Sequence, residues 1–304
     1  MYNFLVELLS FVDLKPLLLA QKKSNPNPSF EIPAVVLLAG KLLQFLSKDA
    51  ATNFVARIFA TPIKFNPPER ELMMRESAKK ERLLLPSTDK EIQVYVYGYS
   101  KTRVLLVHGW AGRGTQLYHL ADKILENKMM VVSFDAPAHG LSDGKRTNMM
   151  EFIEAIRLIE KKYGPFDAAV GHSFGGMSLI NAVAGGLKVN KLVTMGADNS
   201  IPEIFPYFVK KMELKPEISR RLQRLFEKRH NLRLDHFTSE HQAERIKIPV
   251  LVIHDSEDRF VPVSSALSIR QKLQNGELLM THGLGHHKIF KSPVVVQRII
   301  EFLQ

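Results

Sequence analysis

The sequence predicts an α/β domain, a mostly parallel central sheet with helices on both faces. Three observations carry this. Short apolar runs recur at residues 104–107, 131–134, 168–170, 192–195, 250–253 and 278–280, as expected of strands buried on both sides. Stretches with helical spacing separate them, near residues 116–127, 150–162, 174–184 and 264–273, and that alternation predicts βαβ units. A polar, chemistry-bearing segment follows five of the six runs. Right-handed crossovers bring such strand ends to one edge of the sheet, where sites form.

The elements follow in order. Leu5, Leu8, Leu9 and Val12 repeat at helical spacing until Asn25-Pro26-Asn27-Pro28 interrupts the chain. A second apolar helix is expected from near Pro33 towards Ala60, with Leu37, Lys41 and Phe45 at steps of four; Thr61-Pro62 and Pro67-Pro68 end it. Residues 69–82 are charged and read as helical at first. Residues 1–85 are therefore taken as a helical N-terminal extension, packed on the main domain or contacting a membrane or a partner. At Glu91 the pattern changes. Ile92, Val94 and Val96 alternate with Gln93, Tyr95 and Tyr97, which predicts a half-exposed strand. Residues 86–197 and 248–304 form the expected core. The interval 198–247 lacks a strand-like run. It carries two expected helices, residues 202–214 and one opened by Pro216 and running towards His230. An insertion at that edge of a parallel sheet predicts a helical lid.

Composition narrows the function. The 304 residues include no cysteine, which excludes disulfides, thiolate metal sites and a cysteine nucleophile. The apolar N-terminus carries Glu7, Asp13 and Lys15 and lacks a basic start, so no secretory signal is expected. Residues 34–46 are too few to span a membrane. A cytoplasmic location is expected, with peripheral membrane contact as an alternative. The net charge of +11 is high. Such an excess suits nucleic acid, an anionic surface or an anionic substrate.

The central motif is Gly171-His172-Ser173-Phe174-Gly175. A lone G-x-S-x-G is weak evidence; its place between an apolar strand and a helix is what a nucleophile elbow requires. His108-Gly109-Trp110, the segment from Asp135 to Ser142, the segment from Asp255 to Pro262, and Gly283-Leu284-Gly285-His286-His287 close four other strands.

With these motifs in this order, residues 91–304 resemble the α/β-hydrolase superfamily. The chain is similar to bacterial α/β hydrolases with a helical N-terminal extension, on His108-Gly109-Trp110-Ala111-Gly112-Arg113-Gly114-Thr115-Gln116 and Asp135-Ala136-Pro137-Ala138-His139-Gly140. The resemblance implies Ser173 as nucleophile, Asp258 as acid and His286 as base, in the chain order that this fold uses. A serine hydroxyl needs such a base, and the base needs an orienting partner. Backbone N–H groups of Phe174 and Trp110 are the expected oxyanion donors. Asp255 and Asp198 compete with Asp258, and His282 and His287 with His286. His108 and Arg113 are candidates for substrate binding, beside structural roles for both; His139 reads as a structural turn residue.

The implied activity is cleavage of a carboxylic ester, with thioester or amide as alternatives. A non-catalytic ligand binder, a cofactor-free haloperoxidase-like enzyme and a C–C hydrolase stay open. No metal site is expected: there is no His-Glu-x-x-His, and His286 and His287 are adjacent rather than at ligand spacing. No cofactor is expected, since neither a complete G-x-G-x-x-G nor a Walker loop occurs. Nor is nucleic acid, because no binding motif accompanies the charge. Residues 205–234 hold nine basic and three acidic side chains. The excess thus falls on the expected lid, as a solvated face or as an attractor of anionic or lipid-like substrates. Oligomeric state is open.

Overall fold

The computed structural model describes residues 32–304. The helix expected over Leu5–Val12 lies outside the described residues. In chain order the elements are α1 (Ala34–Leu46), α2 (Lys48–Phe59), α3 (Leu72–Ser77), β1 (Lys79–Leu85), β2 (Lys90–Tyr97), β3 (Arg103–Val107), α4 (Tyr118–Glu126), β4 (Met130–Phe134), α5 (Met149–Tyr163), β5 (Phe166–His172), α6 (Phe174–Ala184) and β6 (Val189–Met195). There follow α7 (Ile201–Lys211), α8 (Glu217–His230), α9 (Ser239–Ala243), β7 (Val250–Asp255), α10 (Val263–Lys272), β8 (Gly276–Thr281), α11 (Gly285–Lys288) and α12 (Pro293–Leu303).

The strands form one sheet of order β1-β2-β4-β3-β5-β6-β7-β8. β1 and β2 run antiparallel, as do β2 and β4; every pair from β4 to β8 is parallel. Both faces are covered. Val104, Leu106, Val131, Val170, Val193 and Leu251 share a buried cluster with Leu120 and Ile124 of α4 and Val295 and Ile299 of α12. The alternate residues Leu105, Val132, Ala169 and Leu192 point the other way by the two-residue period of a strand, and all are fully buried. This explains the continuous apolar runs of the central strands.

Two expectations need correction. The charged stretch is helical at first, over residues 69–77, as expected, but Lys79-Lys80-Glu81-Arg82 opens β1, so the extension is not helical to residue 85 and the sheet begins before residue 86. β1 is an edge strand, where charges are tolerated and deter edge-to-edge association. Its charges are paired: Arg82 reaches Glu91 at 2.8 Å and Asp143 at 2.7 Å. Glu81 binds Lys79 at 2.6 Å and also Lys162 and Tyr163. Those three partners hold the Glu81 carboxyl down at about 2. β2, read as half-exposed, is mainly buried, with Ile92, Gln93, Val94 and Tyr95 all buried, because it lies inside the sheet between β1 and β4.

The chain divides into two compact units. The larger holds residues 64–201 and 235–304 and contains the whole sheet. The smaller holds, among the described residues, 32–63 together with 202–234, so α1 and α2 form one body with α7 and α8 of the insertion. The boundaries read from sequence, 1–85 and 198–247, are wider than this unit on both counts. Within it α1 and α2 meet at a sharp break rather than forming one helix. Ser47 is extended (φ −162°, ψ 123°), and its hydroxyl accepts the Ala50 N–H at 3.3 Å, capping α2. Phe59 packs edge-on to Phe205 of α7 and to Phe226 of α8, with ring centroids 5.0 and 5.9 Å away. Among the described residues no helix is long and apolar enough to cross a membrane.

Candidate active site

All the site residues lie in the larger unit, at the C-terminal ends of its parallel strands. Between β5 and α6 the chain turns sharply at Ser173, whose backbone is left-handed (φ 53°, ψ −121°). A non-glycine residue there stores about 1–3 kcal/mol of strain, which the surrounding structure must hold. The Ser173 N–H donates to the Met195 carbonyl at 2.8 Å, tying the turn to β6. Gly175 lets α6 lie close against β3, since an added Cβ would come within 2.4 Å of the Val107 oxygen.

His286 sits in α11, just beyond β8. Its Nε2 is 3.0 Å from Ser173 Oγ, and its Nδ1 is 2.6 Å from Asp258 Oδ2. A carboxylate only accepts, so Nδ1 carries the proton and Nε2 turns its lone pair to the hydroxyl. The other carboxylate oxygen, Asp258 Oδ1, accepts the N–H groups of Phe260 and Val261 at 2.8 and 3.0 Å. Burial pushes the Asp258 carboxyl up. The His286 hydrogen bond, with the two backbone donors, outweighs burial and holds it below the usual carboxylate value. The carboxylate is therefore ionised at neutral pH.

The competing residues are placed elsewhere. Asp198 Oδ1 accepts from Ser265 Oγ at 2.9 Å and from the Asn199 N–H at 2.7 Å, and burial raises its pKa. Asp255 binds the N–H groups of Glu257, Leu284 and Gly285 and the Thr281 hydroxyl. It holds in place the loop that presents His286. His282 is exposed and bonds Ser256 and Glu257. The His287 ring stands edge-on, 5.2 Å from that of His286.

The loop after β3 passes close to Ser173: an added Cβ on Gly109 would lie 3.0 Å from the serine Cβ. In this turn the Ala111 N–H donates to His139 Nε2 at 3.0 Å and the Gly112 N–H to the Gly109 carbonyl at 3.0 Å. The Trp110 N–H is used by neither. Phe174 begins α6, in the first turn, where backbone N–H groups have no partner within the helix. The rings of Trp110 and Phe174 meet edge-on at 5.3 Å.

His108 and Arg113, expected as possible substrate contacts, are both committed to the fold. His108 is 1 % exposed; Nε2 accepts the Ala136 N–H at 3.0 Å, and Nδ1 faces the Gly109 carbonyl at 2.7 Å. Burial pushes its pKa down to about 4, so it is neutral. Arg113 forms a two-pronged ion pair with buried Glu71, both contacts 2.6 Å, and Thr115 donates to the same carboxylate at 2.8 Å.

Two residues were not singled out from the sequence. His172 is fully buried and donates from Nε2 to the His286 carbonyl at 2.9 Å, fixing the backbone that carries the imidazole. Burial drives its pKa well below the usual histidine value. Gly196, at the end of β6, has φ 58°, and an added Cβ would lie 3.2 Å from His286 Nδ1 and 3.4 Å from Asp258 Oδ2. The only signal for it was a glycine closing a strand.

Comparisons agree with this architecture. No curated protein matches the chain. Among solved structures, the Pyrococcus furiosus esterase PF2001 superposes with a TM-score of 0.62 at 18% identity, covering 80% of this chain and 97% of that one. Est1E from Butyrivibrio proteoclasticus, solved with ferulic acid, gives 0.56 at 17% identity over 73% of this chain and 97% of its own. A bacterial membrane phospholipase A gives 0.59 at 17% identity over 89% and 96%. At such identities the likeness is one of fold. The family model described as the alpha/beta hydrolase family matches residues 104–296, from β3 to α12. Spanning well over half of the sequence and every strand end described above, that match shows that the chain belongs to the alpha/beta hydrolase family.

Proposed function

We propose that the protein is a serine hydrolase that cleaves a carboxylic ester through an acyl-enzyme on Ser173. The hydrogen-bonded line from Ser173 Oγ through the His286 imidazole to Asp258 carries the reading. In the first step His286 Nε2 takes the hydroxyl proton as Oγ bonds to the ester carbonyl carbon. The imidazolium formed is stabilised by the ionised Asp258. The carbonyl oxygen becomes an oxyanion, held by the N–H groups of Phe174 and Trp110. Each such donor is worth about 3–4 kcal/mol in the transition state. The C–O bond to the alcohol then breaks, and His286 returns the proton to the leaving oxygen. In the second half, water gives a proton to His286 and its oxygen attacks the acyl carbon. Collapse releases the acid and restores the Ser173 hydroxyl.

Family membership supports a hydrolase, and the esterases among its structural neighbours support an ester as substrate. The test pairs a fluorophosphonate probe with p-nitrophenyl esters of increasing acyl length. The native protein should be labelled and should turn over at least one ester, while Ser173→Ala should do neither. Strong turnover by Ser173→Ala would refute the assignment. A native protein inert to the probe and to every ester would point instead to a ligand binder on the same fold.

A further inference from the structure

The smaller unit presents an apolar surface that nothing described covers. Val35, Leu38, Leu42, Phe45 and Leu46 of α1 are all exposed, Leu38 at 68% and Phe45 at 88%. Each residue turns an α-helix by about 100°, so these five fill an arc of about 100°. It lies opposite the buried positions Val36, Gly40 and Leu43, by which α1 packs into its own unit. The helix is therefore apolar on both its inner and its outer face, which solvated surface helices are not. At about 20 Å it is too short to cross a bilayer.

The same unit is strongly basic. Residues 32–63 and 202–234 carry twelve lysines and arginines against five acids, a net +7 of the +11 in the whole sequence. Some of this charge lies along the flank of α1. Lys41 pairs with Glu213 at 2.5 Å, Gln44 Oε1 accepts the Lys215 N–H at 2.7 Å, and the Leu214 and Met212 side chains come within 3.5 Å of where a Cβ on Gly40 would lie. The turn between α7 and α8 therefore lies beside α1; Lys215 in it, and Lys210 and Lys211 at the end of α7, are all exposed. Arg220, Arg224 and Lys228 of α8 are exposed as well.

We propose that this unit docks on anionic lipid bilayers. α1 lies in the interfacial plane with Leu38, Leu42 and Phe45 in the acyl boundary, and the surrounding lysines and arginines meet the headgroups. An apolar helical face flanked by basic residues is what interfacial binding uses, and anionic headgroups attract such charge. A second copy of the chain is the poorer occupant, because it would set +7 against +7 across the contact. The inference stands on this unit alone and does not depend on the reaction proposed for Ser173.

The test is sedimentation of the full chain with vesicles, of phosphatidylcholine alone or with about 30 mol% phosphatidylglycerol, at about 0.1 M salt. The native protein should bind the anionic vesicles at least about tenfold more strongly, and the difference should shrink with added salt. The double variant Leu38→Glu, Phe45→Glu should lose at least about tenfold in binding, with an unchanged thermal transition because both positions are exposed. Because the chain has no cysteine, Phe45→Cys takes a single environment-sensitive dye. Its emission should be water-like in buffer and shift to the blue with anionic vesicles. No binding, equal binding by the native protein and the double variant, or equal binding to both vesicle types would overturn the proposal. A dye already blue-shifted in buffer would do so too, by showing the stripe covered by residues 1–31 or by a second copy.

Discussion

Asp258→Asn puts the proposed chemistry to its sharpest test, because the structure dictates how the amide must sit. Asp258 Oδ1 accepts two backbone N–H groups, from Phe260 at 2.8 Å and Val261 at 3.0 Å. An asparagine must keep its oxygen there, since its NH₂ would face two donors. That leaves the NH₂ pointing at His286 Nδ1, where Oδ2 now stands at 2.6 Å. Nδ1 must then accept, Nε2 must carry the proton, and the lone pair facing Ser173 is gone. The side chain keeps its size, so the fold should survive. Loss of the correct tautomer and of the counter-charge is worth about 10⁴-fold in kcat, or about 5 kcal/mol. The assay is hydrolysis of the best p-nitrophenyl ester together with the rate of fluorophosphonate labelling. A proton NMR signal from the Nδ1–H of His286 should also disappear. Asp198→Asn is the control and should stay within a few fold of native. A kcat within tenfold for Asp258→Asn, or a large loss for Asp198→Asn, would refute the assignment of the acid.

Three further outcomes are expected. Arg113→Ala strands the buried carboxylate of Glu71 and should cost about 3–5 kcal/mol in denaturant unfolding; a selective loss of anionic esters with unchanged stability would show that Arg113 binds substrate after all. Gly196→Ala forces a Cβ to 3.2 Å from His286 Nδ1 at a positive φ, so thermal stability should fall by about 1–2 kcal/mol and the labelling rate by about tenfold; native labelling would mean the imidazole has room to move. The Glu81 carboxyl is held at about 2 in the fold, below its ordinary value. Its added stability is therefore complete above the ordinary carboxylate pKa and lost as the pH falls towards 2. Glu81→Gln should lower Tm by about 2–4 °C at pH 7, for about 1 kcal/mol, and by much less near pH 2, where the carboxyl is about half protonated; an equal loss at both would exclude the ion pairs as its cause.

How far the sequence could be read depended on where burial left its mark. Strands β3 to β7 are covered on both faces, so their apolar runs stood out and their C-terminal ends could be located within about two residues. β1 left no such mark. As an edge strand it carries charges that pair across to Glu91 and Asp143, and in one dimension a run such as Lys-Lys-Glu-Arg reads as a solvated helix. The break at Ser47 was in principle legible, since a serine before Lys-Asp is an N-cap signal, but the apolar spacing across it masked the turn. The Ser173 turn and the loop bearing His286 could be located because each closes a strand with its own glycine pattern. Asp198, Asp255 and Asp258 were harder to separate: each lies at or just beyond the end of β6 or β7, and chain order alone admits each. What distinguishes them is partners distant in sequence, namely Ser265, the Gly285 loop and His286.

The charge shows what packing adds to counting. From the sequence, the basic excess falls mainly on the insertion. In the fold the insertion shares a unit with α1 and α2, and those 65 residues hold +7. The larger unit, with 27 basic and 23 acidic residues, holds only +4 over 208 residues, and residues 1–31 balance at zero. The unit bearing most of the charge is thus also the one bearing the exposed apolar stripe of α1. Steering of an anionic substrate and docking on an anionic bilayer then respond differently to salt and to α1. Steering would make kcat/KM for an anionic ester fall with ionic strength more than for a neutral one, and Leu38→Glu with Phe45→Glu would leave that difference in place. Docking requires the stripe, so the same double substitution would abolish vesicle binding while hydrolysis of a soluble neutral ester continued at the native rate.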